Sequence, residues 1–273
     1  MGEILYEKNR KRSKPSFANI NFVGRCNAKC FFCLGKQAEG KKSCYFDKHF
    51  SEWDNFYLFL GYCKENGIKK IYLTGLDSEP TIYPYVQELV NYLKELNFLV
   101  GIRTNGIKVD EKLYKSFNDE IGISIHSFNQ ETLDKIGIGK VDFSSIIRVL
   151  QGTKHRYAIV VNRYNKDEII DMIEKISQLD KDCYIQIRQV CDDNGIDGPY
   201  HDDILAFQKV AEDIEKKYPR KSEFEDAGIY IANDVNVCVW RPFNVTVNSF
   251  NYFINGIISD NYFVIEGWKE NNK

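Results

Sequence analysis

Three cysteines stand within eight residues in the stretch Cys26-Asn27-Ala28-Lys29-Cys30-Phe31-Phe32-Cys33. The chain has eight cysteines in all, and where thiols are kept reduced such a count points to metal or redox chemistry rather than to a disulfide framework. An iron–sulfur cube ordinarily takes four cysteine thiolates. Three local ligands leave one iron open, and an open iron can bind a substrate or cofactor where a closed cluster only passes electrons. Zinc is the rival: a structural zinc site is closed and tetrahedral, and Cys44 could complete one. No second Cys-x-x-Cys pair exists to support it. Cys183 and Cys191 flank an expected strand and would lie about 26 Å apart at roughly 3.3 Å per residue, too far to share a second cluster. Cys238 stands alone. Cys191 and Cys238 are therefore candidate hydrogen-atom donors rather than ligands.

Such a loop needs a scaffold, and the chain supplies one from residue 17 onward. Short apolar runs alternate with amphipathic stretches of helical period, the pattern of repeated βα units on a parallel sheet. Strands are expected near 18–23, 70–74, 99–104, 121–126, 157–161 and 184–189, and helices near 48–65, 83–96, 111–117, 143–150 and 168–179. A further helix near 203–217 precedes strands over 229–239 and 244–264, the latter broken by turns at Asn255-Gly256 and Ser259-Asp260. The expected fold class is α/β: a basic tail over 1–16, a partial (β/α)6 barrel of six parallel strands over 17–226, and a C-terminal β-rich extension over 227–273 that closes one side. Active sites of such folds gather at the C-terminal strand ends. There the sequence places the cysteine loop, the segment from Thr74 to Glu79, Arg103-Thr104-Asn105, Ser124 with His126, Asn162-Arg163, and Arg188-Gln189.

At this point the chain resembles the radical SAM superfamily. The loop has that family's CxxxCxxC spacing with an aromatic residue, Phe32, before the last cysteine. The resemblance runs over about residues 17–190. It implies that Cys26, Cys30 and Cys33 bind three irons of a 4Fe-4S cluster and that S-adenosylmethionine chelates the fourth, with Phe32 near its adenine. It further implies that an electron from an external flavodoxin- or ferredoxin-type reductant breaks the sulfonium bond to give a 5′-deoxyadenosyl radical. Thr74-Gly75-Leu76-Asp77-Ser78-Glu79-Pro80 is similar to the family's GGEP segment, with extra residues between the glycine and the glutamate. The contact to the methionine amine thereby falls to one of Asp77, Ser78 and Glu79. Thr104-Asn105-Gly106 resembles the TNG found after the third strand, which adds Asn105 to the cofactor contacts. Ser124 and His126 end the strand that approaches the cofactor ribose and carboxylate in that family. Ile159-Val160-Val161-Asn162 occupies the place of the family's GxIxGxxE segment without its motif, and puts Asn162 near the adenine.

Read from the residues alone, Ser124 and His126 share one face of their strand, and Arg163 and Arg188 could clamp a carboxylate or phosphate of cofactor or substrate, or form rim ion pairs. Trp240 to Phe253 mixes aromatics with amides and one arginine, which makes Arg241 and Asn251 candidate substrate contacts. A balance of 37 basic against 39 acidic side chains excludes a global field that would draw the chain to nucleic acid or an anionic membrane. The N-terminus lacks an apolar signal-peptide core, no apolar run reaches the roughly 20 residues of a membrane span, and a cytoplasmic location is expected. The basic run from Lys8 to Lys14 reads as a solvated tail. The function expected is radical chemistry on a small polar or nucleotide-like molecule. A peptide- or protein-modifying enzyme, including one that activates a glycyl radical, and a noncatalytic Fe–S or zinc protein are the alternatives.

Overall fold

The computed structural model describes residues 12–38, 43–192, 197–224 and 227–271. Six strands run in parallel and in chain order, β1 (Phe17–Phe22), β2 (Lys70–Gly75), β3 (Leu99–Thr104), β4 (Ile121–Ser124), β5 (His155–Val160) and β6 (Tyr184–Arg188). The expected strand at 121–126 stops at Ser124, so His126 lies in the loop beyond it.

The C-terminal residues bring a correction, because they extend the sheet at both edges. Strands β7 (Arg220–Phe224), β8 (Ala227–Ala232), β9 (Val235–Trp240), β10 (Ser249–Phe253) and β11 (Ile258–Ser259) complete a sheet of order β11-β10-β1-β2-β3-β4-β5-β6-β9-β8-β7. β9 pairs parallel with β6, and β10 pairs parallel with β1. An edge strand of a parallel sheet has unpaired backbone groups, and these two strands satisfy them on either side. The single strand expected over 229–239 is a hairpin: Asn233 and Asp234, at φ 47 and 69, make the two-residue turn between β8 and β9. The stretch 244–264 holds only β10 and β11, and Val264 opens a helix.

The helices are α1 (Phe56–Glu65), α2 (Val86–Glu95), α3 (Glu111–Ser116), α4 (Gln130–Ile136), α5 (Phe143–Leu150), α6 (Ile169–Leu179), α7 (His201–Lys217) and α8 (Val264–Asn271). The helix expected over 48–65 is shorter, since Ser43–Asp47 and Phe50–Glu52 are single 3-10 turns and Asn55, at φ 58, reverses the chain before α1. α4 was not expected; seven residues are too few to show a helical period. Its ends are nonetheless written in the chain. The Asn129 side chain accepts from the Glu131 N–H, and Gly137, at φ 91, ends it in the left-handed conformation that glycine takes without strain. No helix among the described residues is long and apolar enough to cross a membrane.

Alternation along the strands separates two faces. Ile71, Leu73, Val100, Ile102, Ile123, Ile159, Ile185 and Val237 are buried in the main hydrophobic core with the apolar sides of the helices. The opposite face is polar. Registers place Asn251, Asn19 and Tyr72 across neighbouring strands, then Arg103, Gly122, Arg156 and Tyr184, and further along Ala158, Gln186 and Cys238. Part of this inner face is self-contained. Glu120 pairs with Arg103 at 2.8 Å and Arg156 at 3.4 Å, Arg156 donates to the Tyr184 hydroxyl at 2.9 Å, and the Arg103 guanidinium lies 4.0 Å above the Tyr72 ring.

Candidate active site

The cysteine loop follows β1, and its backbone is stitched to the end of α4 and to the segment after β2. Lys29 and Phe31 donate to the carbonyls of Gly137 and Ile136 at the end of α4, at 2.7 and 3.0 Å. Glu79 N–H donates to the Arg25 carbonyl at 2.9 Å, and Gly24 N–H to Asp77 Oδ1 at 3.0 Å. After Cys33 the chain passes so close to residues 76–77 that a Cβ at Gly35 would stand 2.2 Å from Asp77 Cβ, so only glycine fits. The thiols are thus displayed from a loop whose path is held from outside it.

Cys26 is exposed, Cys30 and Cys33 are half-buried, and all three are free. Burial raises the Cys26 pKa and, with the charges of its two companions, pushes Cys30 up to about 12. Their protons must leave when a metal binds, which makes loading of the loop proton-coupled. Among the described residues no three His, Cys, Asp or Glu side chains already form a metal cage. The Cys44 side chain, the candidate fourth ligand, lies outside the described residues, as does most of the basic tail. Arg12, at the end of that tail, donates to the Val245 carbonyl at 2.5 Å and lies 3.9 Å over the Tyr262 ring.

Of the three candidates for the amine contact, Glu79 is buried and already engaged. Its Oε1 accepts from Thr81 N–H, the Thr81 hydroxyl and the Thr104 hydroxyl at 3.0, 2.8 and 2.6 Å, and its Oε2 from Asn105 N–H at 2.8 Å. Burial raises its pKa and these donors work against the rise. Asp77 holds Gly24. Ser78 Oγ is the odd one: buried, with no hydrogen-bond partner among the described residues. An orphaned hydroxyl beside the cysteine loop is what a site built for a ligand amine would show, so the donor set fits the cluster and cofactor that the sequence implies. Asn105 reaches the loop directly, donating to Asn27 Oδ1 at 2.7 Å and lying 3.8 Å from Cys26 Sγ.

Phe32 packs edge-on against His126, with ring centroids 5.2 Å apart. His126 is buried and its Nδ1 accepts from Val160 N–H at 3.1 Å, which leaves the proton on Nε2. Burial, then the charge of Arg188, lowers its pKa to about 4, so it is a neutral donor at pH 7. Ser124, at the end of β4, is half-buried. Asn162 is fully buried and turned into its own loop, where its side chain donates to the Val160 carbonyl and accepts from Tyr164 N–H.

The arginines separate. Arg163 puts its backbone N–H, Nε and Nη2 on the fully buried Asp203 of α7 at 2.6–3.2 Å, forming the rim ion pair that was one of its two readings. Arg241 is a correction: β9 ends at Trp240 and the next side chain turns outward, 3.7 Å from Glu215 and over the Phe207 ring of α7. Asn251 does face inward, but Asn19 and Asn21 donate to its Oδ1, and its Nδ2 donates to Ser249 Oγ and the Asn261 carbonyl. Arg188 ends β6 on the inner face, opposite Val160 and Trp240. Burial lifts the thiol pKa of Cys238, opposite Gln186 on the same face, to about 11. Cys191 is half-buried just past β6, where its carbonyl accepts from Gln37 Nε2 at 3.3 Å.

Sequence reading missed Asp203, Tyr200, whose hydroxyl donates to the Phe31 carbonyl at 3.0 Å, and Gln186. Only Gln186 had a signal, two residues before Arg188 on a strand of period two.

Comparison with known proteins bears on the family and the fold. The family model described as the radical SAM superfamily matches residues 20–187. An S-adenosylmethionine-dependent nucleotide dehydratase of Thermoplasmatales archaeon (strain ISO4-H5) is 30% identical over 149 residues, 53% of this chain and 50% of that one. A GTP 3′,8-cyclase of Aquifex aeolicus is 27% identical over 180 residues, 59% of this chain and 53% of that one. The chain therefore spans about half the length of the curated relatives it matches. Among solved structures, Streptococcus suis SuiB bound to S-adenosylmethionine shares the fold at a TM-score of 0.61 and 15% identity, over 90% of this chain and 60% of that one.

Proposed function

Because the chain belongs to the radical SAM superfamily, its matched segment covering residues 20–187, we propose that it is an S-adenosylmethionine-dependent radical enzyme whose substrate is a small polar, nucleotide-like molecule. The observation that carries the substrate reading is the inner face of the sheet. It is lined by amides, hydroxyls and guanidiniums instead of the aliphatic layers that fill a barrel with no ligand to hold. The names of the nucleotide dehydratase and the GTP cyclase point the same way. An external one-electron reductant completes the scheme.

Cys26, Cys30 and Cys33 would hold a 4Fe-4S cluster, and Ser78, Asp77, Asn105, Ser124 and His126 border the place for S-adenosylmethionine. When bound, these groups supply a 5′-deoxyadenosyl radical by reductive cleavage of the sulfonium bond. The chain's own part is positioning. Glu79 locks Thr104-Asn105 against the cysteine loop, Phe32 and His126 form an apolar wall with one N–H donor, and the Arg163–Asp203 pair holds α7 over Phe31, whose ring lies 5.7 Å from the Arg163 guanidinium. The cysteinyl thiol of Cys238 stays protonated inside the barrel and can donate a hydrogen atom there.

Anaerobic reconstitution with iron and sulfide, then a reductant and S-adenosylmethionine, tests this reading. Wild type should form 5′-deoxyadenosine, with turnover stimulated by one member of a panel of nucleotides and nucleosides. Alanine at Cys26, Cys30 or Cys33 should abolish it. Native-rate cleavage by any of these variants would refute the ligand assignment, and stimulation by a peptide but by no small molecule would refute the substrate class.

A further inference from the structure

Resting on that substrate reading, we infer that Arg188 and Gln186, neighbours on the inner face of β6, seat an oxyanion of the substrate, a phosphate or carboxylate, at the cysteine-loop end of the barrel. Charge pairing singles out Arg188. Arg103 and Arg156 share Glu120, and Arg163 has Asp203. The Arg188 guanidinium makes no ion pair and no hydrogen bond with any described residue. The charge that acts on it most is Arg156, which repels; Tyr262 and Tyr184, also near it, are phenols whose burial raises their pKa. Arg188 is half-buried, and a guanidinium partly withdrawn from water with no opposite charge beside it gains when an anion joins it.

The surroundings fit that anion. Gln186 Oε1 is buried without a partner among the described residues, and a half-turn of its amide would offer N–H groups beside the guanidinium. Across the strand stands the neutral Cys238 thiol, and His126, whose protonation the Arg188 charge opposes, carries its proton on Nε2. The seat is at the reacting end of the barrel, because Arg188 is the last residue of β6 and acts on the same His126 ring that Phe32 of the cysteine loop touches. A guanidinium presents a fork of donors that matches two oxygens of a phosphate or carboxylate. Two sources could supply those oxygens, the substrate or the methionine carboxylate of S-adenosylmethionine, and the inference commits to the substrate.

The test uses the full-length, cluster-loaded protein with S-adenosylmethionine present. Binding of inorganic phosphate, pyrophosphate and citrate is measured by calorimetry and by the melting temperature, which rises for any ligand that binds only the folded state. Wild type should bind at least one of the three. Arg188→Gln should weaken that binding at least tenfold, Arg188→Lys less, and Arg148→Gln, on the exposed side of α5, not at all. The loss in Arg188→Gln should fall on the anions and exceed any change in its affinity for S-adenosylmethionine at least threefold. Without anions its melting temperature should hold or rise, since no partner is lost. The inference is overturned if none of the probes binds wild type, if Arg188→Gln binds them as well as wild type, if that variant melts lower than wild type without anions, or if it loses S-adenosylmethionine instead. Absence of 5′-deoxyadenosine from wild type would count against the radical chemistry and leave the anion result readable on its own.

Discussion

Gly137 lies more than a hundred residues from the cysteines, yet it governs their loop. It takes φ 91, and a Cβ there would stand 2.5 Å from the Lys29 carbonyl oxygen, nearly an ångström inside an ordinary 3.4 Å contact. Gly137→Ala therefore imposes two costs. The left-handed backbone costs an L-residue about 1–2 kcal/mol. Displacing the carbonyl also weakens the Lys29–Gly137 and Phe31–Ile136 hydrogen bonds, each worth about 1 kcal/mol. The total is about 2–4 kcal/mol, and the second half falls on the thiolate-bearing loop. Gly152 separates the two costs, because it has φ 72 but nothing within 4 Å of the point a Cβ would occupy. Gly152→Ala should lose about 1–2 kcal/mol of stability and load iron normally. Gly137→Ala should lose more and bind fewer irons per chain after anaerobic reconstitution, with circular dichroism showing the α/β core intact. Equal iron and sulfide content in both variants would refute the idea that the end of α4 sets the cysteine loop.

Ser78→Ala deletes a hydroxyl with no partner among the described residues, so melting should not change, while S-adenosylmethionine affinity falls about tenfold to a hundredfold if that hydroxyl serves the ligand amine, as loss of a charge-assisted bond of about 1.5–3 kcal/mol requires; unchanged affinity in a titration would remove Ser78 from the site. Stability should also depend on pH through the buried His155–Asp180 pair, 2.8 Å apart, where burial alone would lower the His155 pKa but the bonds to Asp180 and the Thr153 carbonyl together raise it, and where the His155 and Tyr157 donors lower Asp180 against its own burial. The His155 contribution is full below its unfolded pKa of about 6.5 and is lost as pH rises through the raised folded value, whereas the Asp180 contribution is full above about 3.9 and is lost as pH falls through the lowered one. Asp180→Asn should cost about 3 kcal/mol and flatten both limbs in chemical denaturation across pH, and an unchanged profile would refute the pairing.

The sequence by itself determined the chemistry-bearing loop and the scaffold type. CxxxCxxC is a local spacing, and the six parallel strands repeat a pattern that spans only some thirty residues at a time, so both can be read without knowing what the chain meets later. Period two also puts Gln186 on the face of Arg188, a signal the sequence reading did not use. It could not say which face, because that depends on where the helices pack. Tertiary structure alone decided the partners. Arg163 and Arg188 look alike in sequence, but Asp203, forty positions on, neutralises only the first. Glu79 has become a strut because Thr104 and Asn105 arrive beside it from β3, and Arg241 faces out because β9 ends one residue earlier. β9 and β10 went to opposite edges of the sheet for the same reason. Edge hydrogen bonds are open to any strand of suitable length, and only the folded barrel leaves two of them to be filled.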